Sequence, residues 1–329
     1  MARVFASSTR PTTPWQARQA DEQYGVTAEP SWREVDWPAH LHQAEIHGST
    51  VNYVDIGSGD GEPVVFVHGL GGQWQNWLEN IPRAAQARRV VALDLPGFGL
   101  SEMPRAEISI SNYARCVEAL CQRLELGRVA VVGNSMGGFV SSEVAIRYPE
   151  RLERLVLVSA AGISSASVYR APALLAGRVA AVMTAYTAAR HRKMARRPVT
   201  RHAALSLVAR HPSRLAPDVA WEALIKGAGK PGFQPALRAN LVYDFRDRLP
   251  EIAAPTLIVW GENDSVISVQ DANEYERLIS DSRKVVMKDT GHVPMLERPL
   301  TFNDVLMDFL AETGPAEAKE PVQGESQAA

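Results

Sequence analysis

Between Arg128 and Gly138 the chain reads RVAVVGNSMGG, an apolar run that meets a helical pattern across a serine with a glycine two positions away on each side. Val129, Ala130, Val131 and Val132 form the short continuous apolar stretch of a strand buried on both faces, as in a parallel sheet covered by helices. Met136, Val140 and Val144 then recur at helical spacing until Pro149 stops the run. A chain that turns from strand into helix within about two residues pins the apex residue in a strained backbone conformation. Gly133 and Gly137 lack the Cβ atoms that would collide there. The arrangement predicts an α/β fold in which the Ser135 hydroxyl stands at the carboxyl edge of a sheet, with the N–H groups of a helix N-terminus behind it.

Similar alternation extends in both directions. A hairpin-like pair of strands over 44–56 turns near Gly48, and strands are expected at Pro63–Val67, Val90–Leu93, Leu155–Val158, Thr256–Trp260 and Val285–Met287. Helices are expected through Tyr113, Val117, Leu120 and Leu124, and through Phe302, Val305, Leu306, Phe309 and Leu310, the latter with an apolar face at i, i+3, i+4, i+7 and i+8. Residues 1–43 read as an N-terminal extension, partly disordered or draped on the core, and 314–329 as a disordered tail. Between 163 and 250 the alternation gives way to mainly helical composition. The division expected is therefore a core over 44–162 and 251–313, interrupted by a helical insertion. At 329 residues with 46% hydrophobic content, the chain can bury a large core as one domain with an inserted lobe.

A serine hydroxyl is a poor nucleophile at neutral pH and needs a base, which in turn needs an orienting group. Asp264 follows the strand at 256–260 and His292 follows the strand at 285–287, so both emerge beyond the carboxyl ends of strands, where ligands bind in open α/β sheets. Of the eight histidines, His292 alone sits after a late strand and behind a glycine. Glu262, Asp244 and Asp247 are the competing acids, and Asp264 is preferred because it lies farthest into its loop. For the oxyanion of a tetrahedral intermediate, the N–H groups of Leu70, in the glycine-rich turn His68–Gly72, and of Met136, beside the serine, are the expected donors. His68 is read as holding that turn. Met136 is expected to line the pocket, while Trp74 and Trp77 are open to either a pocket or a core reading.

These elements resemble those of an α/β-hydrolase-fold serine hydrolase, esterase- or lipase-like: His68-Gly69, Asp94 to Gly99, Gly133 to Gly138, Gly261 to Asp264 and Gly291-His292. The resemblance covers roughly 46–162 and 251–312. It implies an eight-stranded, mostly parallel sheet flanked by helices, a helical cap over the nucleophile, and no cofactor and no metal. Epoxide hydrolases and haloalkane dehalogenases of similar sequence carry aspartate at the nucleophile position, so Ser135 argues against both. The activity implied is hydrolysis of a carboxylic ester with an apolar acyl group. The alternative is a hydrolase that cleaves a carbon–carbon bond in a vinylogous diketone from aromatic ring fission, and Val293 stands where those enzymes usually carry tryptophan. A ligand-binding protein on the same fold is the non-enzymatic alternative.

Charge narrows the partners. A net charge of −2 gives no global field for nucleic acid. The run Ala171–Ala189 is apolar, but Arg178 near its centre makes it a poor membrane span. Arg190, Arg192, Lys193, Arg196, Arg197 and Arg201 form a basic cluster in the cap. It reads either as a weak contact for an anionic membrane surface or, preferred, as a solvated face. Cys116 and Cys121, five apart on a helix, turn to different faces and are not expected to pair, and the absence of an apolar leader gives a cytoplasmic expectation.

Overall fold

A computed structural model describes residues 11–163 and 192–312. The alanine-rich run 171–189, Arg178, Arg190 and the tail expected at 314–329 lie outside the described residues. The strands are β1 (Leu41–Ile46), β2 (Ser49–Val67), β3 (Arg88–Leu93), β4 (Val129–Asn134), β5 (Leu152–Val158), β6 (Thr256–Gly261) and β7 (Ser282–Met287). They form one seven-stranded sheet in the order β1-β2-β4-β5-β6-β7, with β3 paired to β2. The expectation of eight strands is corrected in this respect. The stretch read as a hairpin strand and a separate buried strand is one continuous element, β2, which bends at Gly57 (φ 86°) and flanks β3 twice. Tyr53–Ile56 meets Leu93–Val90 in reverse order, whereas Val64–Val67 runs alongside Val90–Leu93 in parallel register. Between β1 and β2, His47 (φ 50°) and Gly48 (φ 74°) both take positive φ, the two-residue turn whose twist matches antiparallel strands.

Period-two alternation divides the strand side chains between two cores. Val65, Val67, Val129, Val131, Leu155 and Leu157 face the layer built on α3 (Ile110–Arg123) and α4 (Met136–Arg147), which follow the short helices α1 (Trp37–His40) and α2 (Ile81–Ala85) in the chain. Their neighbours Phe66, Ala130, Val132, Val156 and Val158 face the opposite layer, with Trp77 and Phe302. Burial of each such Val or Leu is worth about 1.5–3 kcal/mol, which is why β4 reads as an unbroken apolar run. In α3, Ser109 caps the start by accepting from the Asn112 N–H at 3.1 Å. The last helix, Pro299–Ala311, buries Phe302, Leu306, Phe309 and Leu310.

The described part of the insertion is helical: Arg192–Arg196, Pro198–Leu205, Pro217–Val219, a π-helical turn at Ala220–Ile225, and Phe233–Val242. Residues 11–40 lie against both this insertion and the core. Trp32 Nε1 donates to Glu79 at 2.9 Å, Arg33 pairs with Asp218 of the insertion at 2.6 Å, and the Thr12 carbonyl accepts from His202 Nε2 at 2.5 Å. No helix among the described residues is long and apolar enough to cross a membrane.

Candidate active site

Ser135 sits at the turn between β4 and α4 with φ 55° and ψ −118°. A non-glycine residue there costs about 1–3 kcal/mol and persists only where its surroundings over-determine it. They do so here. The Ser135 N–H donates to the Val158 carbonyl, and its own carbonyl accepts from Ala161 and Phe139. The turn is also packed to backbone contact, since a Cβ on Gly137 would lie 2.2 Å from the Val67 carbonyl oxygen and 2.6 Å from that of His68.

His292 follows β7 in the loop that begins at Asp289 (φ 46°). Its Nδ1 lies 2.7 Å from Asp264 Oδ2. The other Asp264 oxygen accepts from the Val266 and Ile267 N–H groups at 2.8 and 2.9 Å, which fixes the carboxylate. A carboxylate so engaged can only accept from the imidazole, so Nδ1 carries the proton and Nε2 is left as the basic nitrogen. The competing acids lie elsewhere. Glu262 faces the Asp289 N–H and Asp244 chelates Arg246, while Asp247 opens the short helix Arg246–Glu251. Asn134, beside the serine, donates its side-chain amide to the Val158 carbonyl at 3.1 Å and to the His292 carbonyl at 3.3 Å, tying the two loops together.

Ser135 and His292 line one cavity of about 370 Å³, with Leu70 on its core side and Leu205, Val208, Leu224 and Phe233 from the insertion closing it. Apart from His292, no ionisable side chain lines it among the described residues. The Ser135 hydroxyl has no hydrogen-bond partner among those residues. Leu70 lies in the turn after β2, where its N–H has no acceptor among them, and Met136 is the first residue of α4, whose opening N–H groups have no intrahelical acceptor.

Two side chains, Met136 and Arg201, depart from the sequence reading, and two that it left open are settled. Met136 is fully buried in the core and does not line the cavity, because the first turn of α4 directs it under the sheet edge. Trp74 and Trp77 settle as core residues, Trp77 against Phe66 and Phe302. Arg201 leaves the basic cluster: only 4% exposed, it donates to the carbonyls of Ala195, Pro212 and Ser213 and knits the insertion internally. Lys193, Arg196 and Arg197 are exposed.

His68 accepts the Leu95 N–H on Nε2 at 3.0 Å and donates from Nδ1 to the Gly69 carbonyl at 2.7 Å. Burial pushes its imidazole down to about 4, so it stays neutral and holds the turn. Glu297 carries no role in the sequence reading, yet it is fully buried and accepts from the N–H groups of Gly291 and Val293, on either side of His292. The one sequence signal for it was a lone glutamate after the apolar stretch Val293–Leu296.

Residues 62–299 match the family described as alpha/beta hydrolase fold. The chain is 32% identical to the 2-hydroxy-6-oxo-2,4-heptadienoate hydrolase of Pseudomonas putida over 80% of its own length and 94% of that protein. Among solved structures it is similar to a bacterial membrane phospholipase A (TM-score 0.65, 28% identity, 83% of this chain and 86% of that one). It is likewise similar to the enol-lactonase of Burkholderia xenovorans (TM-score 0.67, 25% identity, 82% of this chain and all of that one).

Proposed function

The chain belongs to the α/β-hydrolase family, and from that premise we propose that it hydrolyses a carboxylic ester with an apolar acyl group through a covalent acyl-enzyme. His292 Nε2 takes the proton of the Ser135 hydroxyl as its oxygen attacks the ester carbonyl, through a hydrogen bond that forms when substrate is bound. Asp264 holds the imidazole tautomer and stabilises its charge, and the Leu70 and Met136 N–H groups receive the oxyanion at about 3 kcal/mol each. Collapse of the intermediate expels the alcohol, which takes its proton from His292. Water then gives a proton to the same nitrogen and attacks the acyl carbon, and the acid leaves.

The observation that carries this reading over its rival is the cavity wall, which among the described residues is mainly aliphatic, with Asn76, Asn134, Ser206 and Ser265 as further polar groups and no Lys or Arg. A substrate carboxylate buried against such a wall loses its hydration without a charged partner, at a cost of several kcal/mol. The rival, carbon–carbon hydrolysis of a ring-fission dienoate, is favoured by the identity to the Pseudomonas putida enzyme and uses the same serine and histidine. Turnover of p-nitrophenyl butyrate should exceed that of a 2-hydroxy-6-oxo-dienoate by at least about tenfold in kcat/KM, a difference of about 1.4 kcal/mol in transition-state binding. The opposite ranking, with both activities lost in Ser135→Ala, assigns the chain to carbon–carbon cleavage.

A further inference from the structure

We propose that Glu297 and Tyr24 are positioning residues for His292, so that the N-terminal segment 11–40 bears on catalysis at Tyr24 alone. The inference rests on the Ser135–His292 reading above.

The loop that carries His292 has no sheet or helix to fix it until Pro294 begins the one-turn helix Pro294–Glu297. Its fastening comes instead from a few polar contacts. His292 donates its own N–H to the Val208 carbonyl of the insertion at 2.9 Å and accepts from Asn134 on its carbonyl. The amides before and after it, Gly291 and Val293, both end on the Glu297 carboxylate, at 2.9–3.0 and 3.1 Å. One side chain therefore holds the histidine from both sides.

Two further donors complete that carboxylate. The Arg210 N–H of the insertion reaches Oε2 at 2.8 Å, and the Tyr24 hydroxyl reaches the same oxygen at 2.5 Å. Tyr24 cannot turn away, because its oxygen also accepts the His211 N–H at 2.8 Å, which commits its single proton to Glu297. The Gly25 N–H adds a bond to the Glu297 carbonyl at 2.7 Å. Core, insertion and N-terminal segment thus converge on one buried acid. Burial pushes the Glu297 carboxyl above its usual range, and the four donors oppose that push. A fully buried acid with no cation paired to it among the described residues is an expensive way to fill space, since an apolar side chain of similar volume avoids the desolvation. Glu297 does not line the cavity, so its task is exerted through the loop that carries the base.

The test uses the full-length chain and four proteins: wild type, Tyr24→Phe, Glu297→Gln and the control Trp32→Phe. The control removes a contact from the same N-terminal segment to Glu79, away from the histidine loop. In Glu297→Gln an NH2 group faces N–H donors and cannot accept from them. Circular dichroism and thermal melting establish folding; kcat and KM on an ester, and the rate at which a fluorophosphonate labels Ser135, read the function. The expected result is a fall of about tenfold or more in kcat and labelling rate for Tyr24→Phe, and a larger one for Glu297→Gln, with KM nearly unchanged and Trp32→Phe like wild type. Unchanged rates in Tyr24→Phe, a loss confined to KM, or an equal loss in Trp32→Phe overturns the inference while leaving the serine-hydrolase reading intact. Should Glu297→Gln fail to fold, Tyr24→Phe alone decides. A wild type that fluorophosphonate does not label at Ser135 overturns both.

Discussion

The hydroxyl of Ser135 gains its position from a positive-φ backbone conformation that few of the described non-glycine residues share, and the residues around it hold the turns of the site in place. His68 is one of them. Its two ring nitrogens bridge the Gly69 carbonyl and the Leu95 N–H, which fixes the turn bearing Leu70. Because burial depresses its imidazole to about 4 from 6.5, the unfolded chain takes up a proton at this site well before the folded one does. The stabilisation linked to this residue is therefore complete above pH 6.5 and is lost as pH falls through that window to about 4, a change of about 3 kcal/mol. The destabilisation caused by His68→Asn, measured by urea unfolding, should accordingly be largest at pH 7 and shrink by about that amount at pH 4. A penalty that stays constant across the range contradicts the neutral, buried assignment.

Elements differ in how openly the sequence announces them. The β4 to α4 turn, α3 and the last helix were legible because one pattern, period two or 3.6, decides each of them and tertiary packing agrees with it. In α3 even the start is marked, and Ser109→Ala should cost about 1 kcal/mol in thermal or denaturant unfolding with no change in catalytic constants. A loss of activity in that variant contradicts a purely local cap. Other features depend on tertiary structure and leave little local trace. The continuity of β2 around β3 arises from strand pairing, which a hydrophobicity pattern does not encode. The burial of Arg201 is set by carbonyls at residues 195, 212 and 213, so its charge alone placed it wrongly on the surface. The placement of Ser135, Asp264 and His292 beyond the carboxyl ends of β4, β6 and β7 was readable because each follows a recognisable strand, whereas Glu297 looked like an ordinary helical glutamate until its partners, 273 residues away at Tyr24 and 87 away at Arg210, came into view.

At the scale of the whole molecule, the sheet supplies a rigid edge, the insertion closes the cavity above it, and the N-terminal segment straps the two together through Glu79, Asp218 and Glu297. The exposed cations Lys193, Arg196 and Arg197 sit on the outside of that closure. At about 1 kcal/mol per cation at an anionic surface, these three fall short of stable anchoring. Vesicles containing anionic lipid should therefore not co-sediment the chain at physiological salt, and salt-sensitive binding there contradicts a purely solvated face. The architecture brings Ser135 and His292, 157 residues apart in the chain, to one cavity, and the proposed function requires their alcohol and imidazole to meet there. Peptide mapping after reaction with a fluorophosphonate tests that meeting most directly. The expected result is a single adduct on the Ser135 peptide in wild type, none in Ser135→Ala, and labelling slowed by at least about a hundredfold in His292→Ala. An adduct at another residue, or a His292→Ala variant labelled as fast as wild type, contradicts it.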